Sequence, residues 1–283
     1  MRASPTLALV GLAACGGGGA PGGGFEHLPT LGAGPYEKVP VRLVYDLGAD
    51  LGDPAVLDTD EGLRVWFTRT PSGAGTSEID TALVTSPDQE TNVVMPALAA
   101  DQGWENGSVK APSVVTLPDG RLALYYQGGT SIGRAISSDR GITWVKEAGP
   151  LLQDAVHPAA IVLDGEVVLY HGRPDGPGVY RQGLADPVLA GVEEPGVTGG
   201  WTPAGQLHVG LFYVQPWEGG LAIGYAGSFD GVTFERFGDG EPVLDPLAPD
   251  ERAPEVHLHP DEGFLFFAER NGTTQVVGLA RHP

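Results

Sequence analysis

The residues most able to do chemistry are charged side chains that stand beside prolines at intervals along the chain. Asp53 and His157 each directly precede a proline, and Glu193 stands two residues before Pro195. Two carboxyl groups from separate strands can act as general acid and general base, or as acid and nucleophile, when they face one pocket. Asp53 and Glu193 are therefore candidates for such a pair.

The elements that must position these residues are five short units, each of which begins at or near one of the prolines. A proline opens an apolar run, and a glycine turn then leads into a strand rich in β-branched and aromatic residues. The third strand also recurs, since Ile132 to Asp139 matches Ile223 to Asp230 at its key positions. Five such units of about fifty residues or less predict an all-β, five-bladed β-propeller of four-stranded antiparallel blades.

The repeats also predict the domain boundaries. Residues 39–283 form the propeller, residues 15–38 form a glycine-rich tether and lead-in, and residues 1–14 form a signal peptide. Val39 to Asp46 is expected to be a strand that closes the ring against the last blade. The predicted blades are 53–92, 110–147, 157–188, a fourth from 193, and a fifth from 253 to the C-terminus.

Composition supports this fold and narrows the function. The 283 residues include 44 glycines and 25 prolines, as expected for many tight turns, and no segment shows a convincing helical period. The formal net charge is −20, from 16 basic and 36 acidic residues, which argues against a nucleic-acid partner. The chain has no phosphate-binding loop, no dinucleotide fingerprint and no nucleophile elbow.

The N-terminus carries a targeting signal that ends in the only cysteine of the chain. Arg2 and an apolar run lead into Leu12 to Cys15 (LAAC), followed by a glycine-rich stretch at 16–24. This pattern resembles the bacterial lipobox, which implies cleavage before Cys15, acylation of its thiol and, because residue 16 is glycine, anchoring at the outer membrane. The periplasmic and cell-surface faces both stay open, and an ordinary signal peptide is the alternative.

Two turns resemble those of known propeller families. Ser137 to Trp144 (SSDRGITW) fits the Asp-box of sialidases, a structural turn in which Asp and Ser satisfy loop amides. Ser228 to Phe234 (SFDGVTF) is one residue shorter, a form typical of the five-bladed glycosidases of families 43 and 32. These turns indicate the fold rather than a mechanism.

The blade openings resemble the same five-bladed glycosidases, which open blades 1 and 3 with Asp-Pro and blade 4 with Glu-x-Pro. Asp53-Pro54, Ala111-Pro112 and Glu193-Glu194-Pro195 are similar, whereas His157 replaces the expected third acid. The resemblance implies a carbohydrate-active surface lipoprotein that hydrolyses O-glycosidic bonds. It also implies Asp53 as base or nucleophile and Glu193 as general acid.

The remaining predicted site residues would contact an oligo- or polysaccharide. His157, His208 and Trp201 are candidates by type, and Lys110 and Glu255 flank the blade-opening prolines, so all five form the predicted substrate-binding set. Trp104 and Trp217 are further candidates for stacking on sugar rings. We predict a monomer with no cofactor and no metal site, and a calcium ion in the channel is an open alternative.

Two other functions stay open on the sequence alone. A non-catalytic propeller that binds a glycan or a protein would share the fold and explain the missing third acid. A six-bladed sialidase would need arginines for a substrate carboxylate, but the count of five units argues against it. Its candidate arginines are Arg134, Arg173, Arg181 and Arg252.

Overall fold

The chain folds as a closed ring of five antiparallel sheets. The structure is a computed structural model that describes residues 35–40, 42–86, 95–201, 205–218, 220–244, 252–258, 263–271 and 274–282. The innermost strands of neighbouring sheets contact one another all the way around, from the first sheet to the fifth and back to the first. This arrangement confirms the five-bladed propeller and rules out the six-bladed alternative. Cys15 and the glycine-rich stretch after it lie outside the described residues.

Within the described ranges, regular structure is almost entirely β-strand, with two short 3-10 segments at Gly103–Glu105 and Phe237–Gly240. No helix in these ranges is long and apolar enough to cross a membrane. The strands in chain order are β1 (Glu37–Lys38), β2 (Ala49–Thr59), β3 (Gly62–Pro71), β4 (Glu78–Val84), β5 (Met95–Leu98), β6 (Val109–Thr116), β7 (Leu122–Gly128), β8 (Ser131–Ser137), β9 (Val145–Lys146), β10 (Leu152–Gln153), β11 (Val156–Leu163), β12 (Glu166–Arg173), β13 (Gly176–Arg181), β14 (Leu189–Ala190), β15 (Glu193–Trp201), β16 (Leu207–Trp217), β17 (Gly220–Ser228), β18 (Glu235–Arg236), β19 (Arg252–Leu258), β20 (Gly263–Asn271) and β21 (Thr274–His282).

The blades follow the predicted repeats. Blade 1 is β2 to β5, blade 2 is β6 to β10, blade 3 is β11 to β14, blade 4 is β15 to β18, and blade 5 is β19 to β21 with β1. The ring is closed by Glu37–Lys38, which pairs antiparallel with β21. The sequence placed this closing strand at Val39 to Asp46, where the structure has only an isolated bridge between Val44 and Val277. Closure occurs a few residues earlier because Tyr36 packs into the core between blades 4 and 5.

The hydrophobic core is divided into five clusters, and each lies between two neighbouring blades. One buried aromatic residue of the second strand recurs in every blade, opposite the residue that follows the blade-opening proline. Burying an aromatic side chain is among the largest single contributions to a core. The recurring aromatics are Trp66, Tyr125, Tyr170, Phe212 and Phe266.

Both predicted Asp-box turns are structural, as expected. The Asp139 carboxylate accepts a hydrogen bond from the amide of Thr143 at 2.9 Å, and Ser137 Oγ accepts one from the amide of Gly141 at 2.8 Å. A hydrogen bond from the Thr143 hydroxyl, together with those from the backbone and Ser137, lowers the pKa of Asp139 to about 2. Gly141 has a φ of +81° and packs against Trp66 of blade 1, so this turn also joins two blades.

Candidate active site at the propeller axis

The blade openings share one unusual backbone conformation. In blades 1 to 4, the residue before the proline has a φ between +48° and +50°, and the strand pairing shifts register at that point. In ring order these residues are Asp53, Ala111, His157 and Glu194. A residue before proline favours extended backbone, and a positive φ in a residue other than glycine costs about 1–3 kcal/mol. Strain of this kind is characteristic of functional sites, and here it recurs around one axis.

The four strained residues line a single axial pocket. The pocket has a volume of about 20 Å³, close to the space of one water molecule. Asp53 and Glu194 bring carboxylates to it, His157 brings an imidazole, and the prolines of all five blades form the rest of the wall. Because blades 1 and 4 are not neighbours in the ring, the two carboxylates approach the axis from separated sides.

Asp53 is fixed by a side chain of its own blade. The Thr68 hydroxyl donates to Asp53 Oδ2 at 2.6 Å and accepts a hydrogen bond from the amide of Ala111 at 2.8 Å. The amide of His157 donates in the same way to Gln127 Oε1 of the preceding blade at 3.2 Å. Thr68 and Gln127 are both buried, so the openings of blades 2 and 3 are each tied to the preceding blade by a buried polar contact.

Glu194, rather than Glu193, occupies the position equivalent to Asp53. Glu194 is 7 % exposed, and Arg252 of blade 5 donates to its Oε1 at 2.9 Å, which orients the carboxylate. Glu193 is exposed and does not line the axial pocket. The sequence carried a signal for this, because Asp53 and His157 both stand directly before proline, as Glu194 does.

A larger cavity opens beside the axial pocket, between blades 3 and 4. Its volume is about 260 Å³, just below the range of about 300–1,000 Å³ usual for ligand pockets. His157 and Glu194 line both spaces, so the two adjoin. Glu193 forms part of the blade 4 wall of this lateral cavity, and Arg173 forms part of the blade 3 wall.

Two of the other predicted substrate-binding residues, Lys110 and His208, line neither pocket. Lys110 is half-buried beside Ala111, on the strand that opens blade 2. His208 and Trp201 lie toward the far end of blade 4, and Trp201 is roughly 20 Å along the strand from Glu194. His208 Nε2 lies 3.2 Å from the Tyr225 hydroxyl, and burial lowers the pKa of this histidine. The backbone of Glu255 follows the proline of blade 5 and pairs with Phe266, a position filled by alanine in blades 1 and 3.

Trp104 is a packing residue rather than an exposed sugar platform. Its ring stacks on Tyr126, with centroids 5.8 Å apart, and lies against Gly128 and Gly133. Of the four arginines that the sialidase alternative would use, Arg134 forms an ion pair with Glu147 on blade 2. In the part of the chain that the structure describes, no group of three His, Cys, Asp or Glu side chains is arranged to hold a metal ion.

Comparisons with known proteins identify the fold. A glycosyl hydrolase from Bacteroides ovatus superposes with a TM-score of 0.69 at 16% sequence identity, covering 90% of this chain and 95% of that one. The catalytic domain of a Coprinopsis cinerea family 62 α-L-arabinofuranosidase gives 0.68 at 12% identity, covering 87% and 96%. A structure from glycoside hydrolase family 130, a family of mannoside phosphorylases that contains hydrolases of β-1,2-mannosidic linkages, gives 0.68 at 14% identity, covering 90% and 95%. No protein-family model and no curated protein matches the sequence.

The site contains two carboxylates at the propeller axis and, next to them, a cavity of about 260 Å³. Carboxylates that approach from separated blades can act on opposite faces of a bound molecule, which suits paired acid–base chemistry. The axial pocket accommodates only a few atoms, and the lateral cavity next to it provides the larger space. A substrate in the lateral cavity would therefore present one bond to the axial carboxylates.

Proposed function

We propose that this chain is a glycoside hydrolase-like propeller that cleaves O-glycosidic bonds with Asp53 and Glu194 as its paired carboxylates. The main support is that both residues occupy the same strained position before proline and line one pocket. Glycoside hydrolysis requires a proton donor beside the leaving oxygen and a carboxylate at the opposite face of the sugar ring. The glycosidases of the same fold agree with this proposal, although a fold alone does not define an activity.

In this proposal Asp53 keeps the role of base or nucleophile, and Glu194 takes the role of proton donor that the sequence assigned to Glu193. Thr68 positions Asp53, and Arg252 positions Glu194. Glu193 binds sugar hydroxyls from the wall of the lateral cavity. His157, which lines both pockets, donates or accepts a hydrogen bond at the sugar next to the cleaved bond.

The test is turnover of an aryl-glycoside panel by the purified full-length chain and by four single variants. Asp53→Asn and Glu194→Gln should each lower turnover by about 10²- to 10⁴-fold, the usual contribution of a positioned acid or base. Glu193→Gln should raise KM more than it lowers kcat. Asp154→Asn is the matched control, because Asp154 is exposed and lies outside both pockets.

Leaving groups of different acidity separate the two roles. A dinitrophenyl leaving group needs no protonation, so it should restore turnover to Glu194→Gln and leave Asp53→Asn inactive. Loss of turnover in Glu193→Gln, with Glu194→Gln active, would return the proton donor to Glu193. Turnover unaffected by all the carboxylate changes would place the active site elsewhere.

A binding propeller is the second candidate, and one feature favours it. The blade 3 position that carries an acid in the similar glycosidases is His157, and Ala111 adds no functional group at blade 2. A folded chain that turns over no glycoside but retains glycans on an array would support this function. In either case we propose a monomer held at the outer membrane by acylated Cys15.

A further inference from the structure

The lateral cavity contains a cationic side chain that the proposed cleavage chemistry does not use. Arg173, the last residue of β12, lines the cavity on the blade 3 side, and Glu193 and Glu194 line it on the blade 4 side. Gly176 and Gly178 belong to the same blade 3 wall and carry no side chains. The cavity therefore has a basic wall and an acidic wall that face a single space.

Arg173 is held in place by stacking. Its Cζ lies 3.8 Å from the centre of the Tyr180 ring, and Nη2 donates to the carbonyl of Ala185 at 3.4 Å. The Tyr180 ring stacks in turn on His171, with centroids 5.9 Å apart and planes 21° from parallel. His171 is buried, and burial lowers its pKa, so the stack under the guanidinium is neutral near neutral pH. The guanidinium is therefore oriented before any ligand binds.

The charge of Arg173 is not neutralised within the protein as that of Arg252 is. Arg252 forms an ion pair with Glu194 at 2.9 Å. Among the residues that the structure describes, no carboxylate lies within ion-pairing distance of the Arg173 guanidinium. Stacking occupies one face of the guanidinium and leaves N–H groups at its edge. A planar fork of this kind matches a carboxylate, which it binds through two parallel hydrogen bonds.

We infer that the lateral cavity is a subsite for a hexuronic acid unit, whose carboxylate is bound by Arg173. The two walls orient such a sugar, because its carboxylate is attracted to Arg173 and its hydroxyl groups can donate to Glu193. Two acidic side chains on the opposite wall disfavour a ligand with several negative charges. The inference deepens the proposed function, since it names the substrate class of the same site.

The test compares equilibrium binding of uronic acid oligosaccharides with binding of the corresponding neutral oligosaccharides by the full-length chain. We expect the wild type to prefer the uronate by about 10- to 100-fold, the contribution of charge-assisted hydrogen bonds to one carboxylate. Arg173→Gln should remove that preference, because it lowers the affinity for the uronate far more than the affinity for the neutral sugar. Arg173→Lys should keep part of it, because the charge remains without the planar fork. Arg121→Gln is the matched control, since Arg121 is exposed and lies outside the cavity.

The outcomes separate the inference from the proposed function. Equal affinity for uronate and neutral sugar in the wild type, or a preference that survives Arg173→Gln, overturns the uronate subsite. Arg173-dependent binding of a sulfated sugar as tight as that of the uronate overturns the carboxylate assignment. Hydrolysis of neutral glycosides without uronate preference leaves the hydrolase proposal intact and removes the subsite. Arg173-dependent uronate binding without hydrolysis keeps the subsite and removes the hydrolase.

Discussion

Replacing Lys146 with methionine should destabilise the propeller strongly, because it leaves a buried carboxylate without its cation. Glu105 is fully buried, and its Oε1 accepts hydrogen bonds from Lys146 Nζ at 2.6 Å and from the Tyr126 hydroxyl at 2.8 Å. Its Oε2 accepts from the backbone amides of Asp101 and Gln102 at 2.7 and 2.8 Å. The variant removes the only cation that the structure places on this carboxylate within the described residues.

Removing one partner of a buried ion pair costs about 3–5 kcal/mol. In a domain of this size each kcal/mol lowers the Tm by about 2–4 °C, so the Tm of Lys146→Met should fall by about 6–20 °C. The matched change is Arg121→Met in the same blade. Arg121 Nη2 lies 2.7 Å from Asp119 Oδ2, but the two side chains are 50% and 51% exposed, so water screens the pair. The Tm of Arg121→Met should stay at the wild-type value.

Differential scanning calorimetry measures these shifts. The double variant Glu105→Gln/Lys146→Met should recover part of the lost stability, because no charge is then left buried. Equal Tm values for Lys146→Met and Arg121→Met would refute the reasoning. A double variant that melts below Lys146→Met would refute it as well.

The same ion pair predicts a pH dependence. Burial acts to raise the pKa of Glu105, but hydrogen bonds from Lys146, two backbone amides and Tyr126 outweigh it and lower the pKa below its usual 4.5. A lowered folded-state pKa means that the stabilisation is present above the unfolded-state pKa and is lost as the pH falls through the folded-state value. The Tm difference between wild type and Lys146→Met should therefore shrink as the buffer is acidified below about pH 4.5.

Three further predictions concern a turn, a buried acid and the N-terminus. Gly120→Ala should lower the free energy of unfolding by ~1 kcal/mol, because it places alanine in a left-handed conformation. Gly141→Ala should lower it further, because its new Cβ also meets Trp66, and calorimetry compares the two variants. Burial and neighbouring carboxylates raise the pKa of Asp80 to about 6, so the fold loses stability as the pH rises from the unfolded-state pKa of 3.8 to about 6. Asp80→Asn should then raise the Tm at neutral pH and not at acidic pH. Cys15→Ser should move the chain from membrane to soluble fractions, and an unchanged distribution would contradict acylation.

Much of the fold could be predicted because its signals are local and repeated. The glycine turns, the Asp-box at Ser137 to Trp144 and the apolar run after each proline depend on short-range geometry, so several units of one sequence repeat the same evidence. The ring-closing strand was displaced by a few residues because Glu37–Lys38 is too short to carry an alternating pattern.

The candidate site was predicted less well because it depends on a backbone irregularity. Strand alternation does not continue through the register shift before Pro195, so the alternating pattern could not separate Glu193 from Glu194. The signal that does separate them is the position directly before proline, which Glu194 shares with Asp53. Trp104 lies in a loop-like segment of the sequence and was therefore predicted to stack on sugar rings. The hydrogen bond from Lys146 to the buried Glu105 instead holds this segment against the core. The position of Arg173 on a cavity wall depends on the packing of blade 3 against blade 4, which no local pattern reports.

The repeated strained opening has a consequence for how this protein can change. Each blade supplies one residue before its proline, and the hydrophobic clusters between the blades are formed by other residues. The side chain at each of these positions can therefore be exchanged without changing the hydrophobic cores between the blades. A different activity could therefore arise from a few substitutions at the axis, with the hydrophobic clusters between the blades unchanged. The residues before the five prolines, in ring order, are Asp53, Ala111, His157, Glu194 and Ala253.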